Sequence, residues 1–155
     1  MKFTNTGLFH IGKGLKRLIS LKTVIFHFVH CSQIADEGLQ ALAFGLKGLV
    51  CLENLNLNFD WCDKITDKGL LSICEAIEKL TCLQTIELDF TRCQKITCIG
   101  KYKIYDTFEK HPLFRGFNEN FRFIQKRLRE CGSCRKRYDD CPNCGGYDCW
   151  KNNKR

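Results

Sequence analysis

Four cysteines near the C-terminus have the spacing with the most chemistry in it. Cys131 and Cys134 form one C-x-x-C pair, Cys141 and Cys144 form another, and Cys149 follows alone. Each short turn aims two thiolates at one point, and two such turns complete a tetrahedron around zinc. The stretch 131–155 has few large apolar residues and no core of its own, so its order would depend on the metal. The ligand set is then Cys131, Cys134, Cys141 and Cys144, with Cys149 left over. A metal-free reduced tail is the plain alternative. A redox pair comes third, because no βαβ context surrounds these cysteines.

Other candidates are weaker. Glu87 and Asp89 share one side of an alternating segment and could be read as general acid and base, but two same-side carboxylates on such a face are read in preference as a partner-binding patch. His27 and His30 have no convergent Cys, Asp or Glu at metal-ligand spacing. Trp61 beside Cys62 is a candidate interface anchor or a partly buried ring. No phosphate-binding loop, dinucleotide fingerprint or nucleophile elbow occurs. Arg122, Lys126, Arg127, Arg129, Arg135, Lys136 and Arg137 are interleaved with aromatic residues and could meet the phosphates of RNA or DNA. The alternative is a solvated helix face.

Charge divides the same way. The 155 residues have a formal net charge of +8, with 25 Lys or Arg against 17 Asp or Glu. Eleven of the cations and five of the anions lie in Phe114–Arg155, so the tail is basic and the rest nearly neutral. Two parts with different partners are implied.

The elements that position these residues follow from a repeat. Cys31, Cys62 and Cys93 stand 31 residues apart, as do Leu21, Leu52 and Leu83; Ile34, Ile65 and Ile96; and Gly7, Gly38, Gly69 and Gly100. One fixed period of this length marks stacked supersecondary units. Leu55, Leu57 and Phe59 alternate as in a half-buried strand. Leu70, Ile73, Ile77 and Leu80 recur at helical spacing, and Asp67 is the expected N-cap, after Thr66. Strands are therefore expected around 24–28, 55–59 and 86–90, parallel and side by side. Val24, Phe26 and Phe28 and their counterparts point inward. Ile25, His27, Asn56, Asn58, Asp60, Glu87 and Asp89 face the other way and form the expected partner-binding surface.

The pattern L-x-x-L-x-L-x-F at Leu52–Phe59, Cys62 and the segment ITDKGL at Ile65–Leu70 resemble the leucine-rich repeat family. The subfamily indicated is the cysteine-containing type, with a 31-residue length nearer the ribonuclease-inhibitor-like type. CPNCG at Cys141–Gly145 resembles the second knuckle of zinc ribbons. The resemblance implies an α/β solenoid with a parallel sheet on its concave face and helices outside, followed by a small Cys-rich tail. It also implies a non-enzymatic interaction or scaffold subunit that binds protein partners, in a larger assembly. A nucleic-acid-associated protein using the basic tail is one alternative, and the substrate-recognition subunit of a ubiquitin ligase is another.

The expected organisation is a helical cap at 3–20, repeats at 21–51, 52–82 and 83–113, a C-terminal capping helix at 114–130 and the Cys-rich stretch 131–155. The third repeat degrades after Ile96, where Cys98 stands in the place of Asp67 and Lys101 in that of a core leucine. The first strand has no earlier neighbour, so its edge is expected to be covered by the first residues or by another protein. Twelve cysteines without an export signal point to a reducing, cytoplasmic compartment, the nucleus not excluded. No apolar run is long enough for a membrane span.

Overall fold

A computed structural model describes residues 3–115 and 121–124. Helices and strands alternate as α1 (Asn5–Leu15), β1 (Thr23–His27), α2 (Asp36–Leu46), β2 (Asn54–Asn58), α3 (Asp67–Ile77), β3 (Thr85–Asp89), α4 (Cys98–Lys110) and β4 (Phe121–Ile124). The four strands form one sheet in the order β1-β2-β3-β4, with every pairing parallel. Register advances by one repeat per step, so Val24 lies beside Leu55 and Leu55 beside Ile86. This is an α/β solenoid, with each helix returning the chain to start the next parallel strand.

The core lies between sheet and helices and is built of identical layers. Leu39, Leu42, Leu46, Leu49 and Leu52 are fully buried, as are Leu70, Ile73, Ile77, Leu80 and Leu83 one repeat later. Phenylalanines just beyond the strands stack along the solenoid. Phe28 and Phe59 lie 5.4 Å apart, Phe59 and Phe90 5.4 Å, and Phe90 and Phe123 6.1 Å. Phe3 closes the first end edge-on to Phe28 at 5.1 Å. The periodic cysteines beside this spine are hydrogen-bond donors. Cys62 Sγ donates to the Phe28 carbonyl at 3.1 Å and Cys93 Sγ to the Phe59 carbonyl at 3.2 Å. Burial pushes the Cys62 thiol up to about 12, which keeps it protonated and able to donate.

A second ladder ties the helix starts together. Asp36 accepts from Thr66 N at 2.8 Å, Thr66 Oγ1 at 2.7 Å and Gly69 N at 3.0 Å. Asp67 accepts from Thr97 N at 2.7 Å and from the Thr97 hydroxyl. Asn5 opens the series by accepting from Ala35 N at 2.8 Å. The N-cap of α3 is therefore Thr66, whose side chain accepts from Lys68 N, and not Asp67. Asp67 sits one position further on, where its carboxylate reaches the following unit rather than its own helix.

The expected C-terminal capping helix at 114–130 is corrected at its centre. Phe121–Ile124 is a strand, with Ile86 beside Phe121 and Leu88 beside Phe123. Phe117, Phe121, Ile124 and Leu128 fit a helical period, but FRFI also alternates with period two, and the open edge of β3 offers backbone partners that a helix would leave unpaired. Phe123 also meets Tyr105 of α4 edge-on at 5.9 Å. α4 ends at Lys110, before Pro112. His111 is buried there, its Nε2 2.9 Å from the Leu80 carbonyl.

Candidate interaction surface

One face of the sheet is packed on the helices, and the other presents rows that run across the strands. The first row is Thr23, Asn54 and Thr85, joined by hydrogen bonds of 3.2 and 2.7 Å. The next is Ile25, Asn56, Glu87 and Arg122, which are register partners. His27, Asn58 and Asp89 follow, and then Val29, Asp60 and Thr91. All seven residues expected on a partner-binding face, Ile25, His27, Asn56, Asn58, Asp60, Glu87 and Asp89, are thus placed on this side of the sheet or at its edge. Ile25 and His27 are exposed, and the other five are half-buried.

The acidic end of this face is compensated from within. Arg122 Nη1 stands 3.6 Å from Glu87 Oε2, and Arg92 Nη1 3.5 Å from Asp60 Oδ2. Asp89 Oδ1 accepts from Thr91 N at 2.9 Å, and its Oδ2 from Asn58 Nδ2 at 3.4 Å. Glu87 and Asp89 therefore hold neighbouring groups in place instead of standing bare as an acid–base pair. Asp60 Oδ1 is buried and has no hydrogen-bond partner among the described residues. Arg122 was expected with the basic, phosphate-facing residues, but the pairing of β4 with β3 brings it to the sheet. Lys126, Arg127, Arg129, Arg135, Lys136 and Arg137 lie outside the described residues, as do Cys131, Cys134, Cys141 and Cys144. Among the described residues, no group of three or more His, Cys, Asp or Glu is arranged to hold a metal ion.

Beyond the strand ends the rows continue into a ridge. His30, Trp61 and Arg92 have backbone φ of 58°, 61° and 61°. This left-handed conformation costs a residue with a Cβ roughly 1–2 kcal/mol. The rest of the fold over-determines it: His30 N donates to the Asp60 carbonyl at 2.8 Å and Trp61 N to the Thr91 carbonyl at 3.0 Å. The turn so made carries the chain from Phe59 to Cys62, which is why the cysteine follows the strand at a distance. It also stacks the three side chains. His30 lies 5.1 Å from Trp61 with planes 23° apart, and the Arg92 guanidinium sits 4.9 Å over the indole. A groove of about 410 Å³ runs beside the ridge, lined by Ser32, Asp63, Gln94 and Lys95 as well. The 31-residue spacing of His30, Trp61 and Arg92 is present in the sequence, but three unlike residue types do not announce a shared position. The contribution of Arg92 was accordingly missed.

Residues 25–43 and 47–74 match the leucine-rich repeat family model. These segments are similar to leucine-rich repeats. They include all of β2 and most of β1, α2 and α3, and so part of the open face. No curated protein matches the chain. The described part contains no helix long and apolar enough to cross a membrane. Within the matched segments, the residues that set the fold are the buried layers. The rows on the open face and the ridge lie outside those layers.

Proposed function

We propose that the chain is a non-enzymatic recognition module that binds a protein partner across the open face of its sheet, with Trp61 and Arg92 as anchors. Leucine-rich repeats generally mediate protein–protein interaction, and the described residues form a broad surface rather than a closed cleft. The observation that carries the reading is Trp61, 40% exposed yet held between His30 and Arg92 on a left-handed turn. Trp and Arg are the residue types that dominate binding energy at protein interfaces, most of all when pre-ordered. The internal pairing of Glu87 and Asp60 favours a partner with mixed polar groups over a strongly cationic one.

Affinity capture with the full chain tests this. Trp61→Ala should weaken retention of the partner by about 30-fold or more, the effect of losing a hot-spot aromatic residue. Reversing Glu87 and Asp89 to Lys should also weaken it, with an unchanged helical CD signal. Ile99→Ala, on the exposed outer side of α4, serves as the control. Equal retention by wild type, Trp61→Ala and the double reversal would remove the open face from the interaction.

A further inference from the structure

The outward positions on the helix side of each unit face solvent whatever stands before or after that unit in the stack. Phe44 of α2 is 57% exposed, and exposed Lys13 and Glu75 hold the same position in α1 and α3. Ile19 is 62% and Val50 56% exposed in the turns after α1 and α2, where the next unit has an exposed Thr81. A position that takes Lys, Glu or Thr in a neighbouring unit needs no large apolar side chain for packing. Phe9 is exposed on the outer side of α1 as well.

The same corner of the molecule is basic. Phe9, Lys13 and Arg17 follow one another at i, i+4 spacing, which sets them on one side of α1 and its end. Lys16 Nζ sits 3.5 Å over the Phe44 ring, joining the ends of α1 and α2. The two helices are close there, since a Cβ on Gly12 would overlap the Ala41 carbonyl and one on Gly45 the Gly12 carbonyl. No Asp or Glu occurs in residues 1–35 or 38–52. Asp36 and Glu37 lie at the opposite end of α2, in its first turn, and Glu53 is paired with Lys22. Lys13, Lys16 and Arg17 have no carboxylate partner among the described residues, whereas Lys47 pairs with Glu75 at 2.9 Å and Lys110 with Asp106 at 2.8 Å further along the outer side. Cations at a helix end complement its dipole, but α2 and α3 form with no base in their last turns.

We propose that this corner, made by the C-terminal ends of α1 and α2 and the turns after them, docks on an anionic lipid surface. Lys13, Lys16 and Arg17 meet the headgroups, and Ile19, Phe44 and Val50 enter the boundary of the acyl chains. The mixture specifies the occupant. Charge attraction to anionic lipid and shallow apolar insertion are each weak, and together they hold a peripheral protein without any membrane-spanning helix. A protein anchor would gather its apolar residues into one packed pocket inside a polar rim, but here they stand singly between cations. Nucleic acid would use the cations and stack on a phenylalanine, and would gain nothing from Ile19 and Val50. The corner lies on the helix side, away from the open face of the sheet, so a protein partner and a lipid surface are compatible.

Flotation of the full chain with vesicles tests this. The chain should float with phosphatidylcholine vesicles containing about one-third phosphatidylserine, and not with phosphatidylcholine alone. Residues 114–155 are also basic, so charge by itself does not decide. Ile19→Thr with Val50→Thr leaves the charge unchanged and copies Thr81 of the next unit; it should weaken vesicle binding about tenfold at an unaltered melting midpoint. Lys13→Gln with Arg17→Gln should weaken it about 25-fold, about fivefold for each cation near such a surface. Soluble glycerophosphoserine should not compete, and displacement by it would replace the surface with a headgroup pocket. Absence of flotation on anionic vesicles, or equal flotation of wild type and the double Thr variant, would overturn the proposal. Retention on single-stranded RNA that is lost in the Lys13 and Arg17 variant, with vesicles ignored, would assign the cations to nucleic acid instead. Trp61→Ala should float as wild type does, so the lipid corner and the open face stand or fall separately.

Discussion

Replacing Asp36 with Ala probes what holds one unit to the next. The carboxylate accepts from Thr66 N, Thr66 Oγ1 and Gly69 N at 2.8, 2.7 and 3.0 Å, and all three groups are part-buried. Hydrogen bonds to a charged group are each worth about 1.5–3 kcal/mol when one partner is lost. Thr66 Oγ1 can turn to water and still cap Lys68 N, so the full sum does not apply. The expected loss is about 3 kcal/mol, a large part of the stability of an ordinary domain. With a urea slope near 1.5 kcal/mol per M, the midpoint should fall by about 2 M. Asp36→Asn should cost about 1 kcal/mol or less, because Asn5 already performs the same task for Ala35 N with an amide oxygen at 2.8 Å. Glu37→Ala is the control, since Glu37 makes an exposed 3.2 Å bond to Asn5 Nδ2. If Asp36→Ala shifts the midpoint no more than Glu37→Ala does, the ladder does not couple the units.

Phe59→Ala should cost about 3–5 kcal/mol in the same assay, because Phe59 is fully buried with a stacked ring on each side; Phe3→Ala, at the open end, should cost less than half as much. Stability should fall as pH rises above the ordinary thiol value of 9.0, because burial raises Cys74 to about 11 and Cys62 to about 12 and pushes Cys93 up as well. The unfolded thiols ionise first, so below pH 9 the contribution is constant, and above it each thiol removes about 1.4 kcal/mol per pH unit until its folded value is reached. Thermal melts from pH 7 to 10.5 check this, and Cys62→Ala should flatten the alkaline slope. For the tail, we propose one zinc per chain on Cys131, Cys134, Cys141 and Cys144. Elemental analysis of reduced protein should give about one equivalent, falling to none when Cys141 and Cys144 become Ser, with the melting of the repeats unchanged; a metal-free wild type would refute it.

The 31-residue period by itself determined the solenoid, the strand and helix order and the inward faces. A strict period in residue type forces equivalent packing in each unit, and Leu, Ile and Phe at fixed offsets leave one face to bury. The same reasoning placed Ile25, Asn56 and Glu87 on one face, because strand alternation fixes the face in every repeat. Pairwise facts were not legible. Asp67 reads as a cap for its own helix until the neighbouring helix is close enough to bond it. FRFI reads as one helical turn until the free edge of β3 is set beside it. Arg122 then moves from a basic tail to a carboxylate on the sheet, and His30, Trp61 and Arg92 become one ridge. Local pattern states what each residue could do alone. Which competing backbone or side-chain partner it takes depends on groups brought within 3 to 5 Å by stacking, and the tertiary structure decides that.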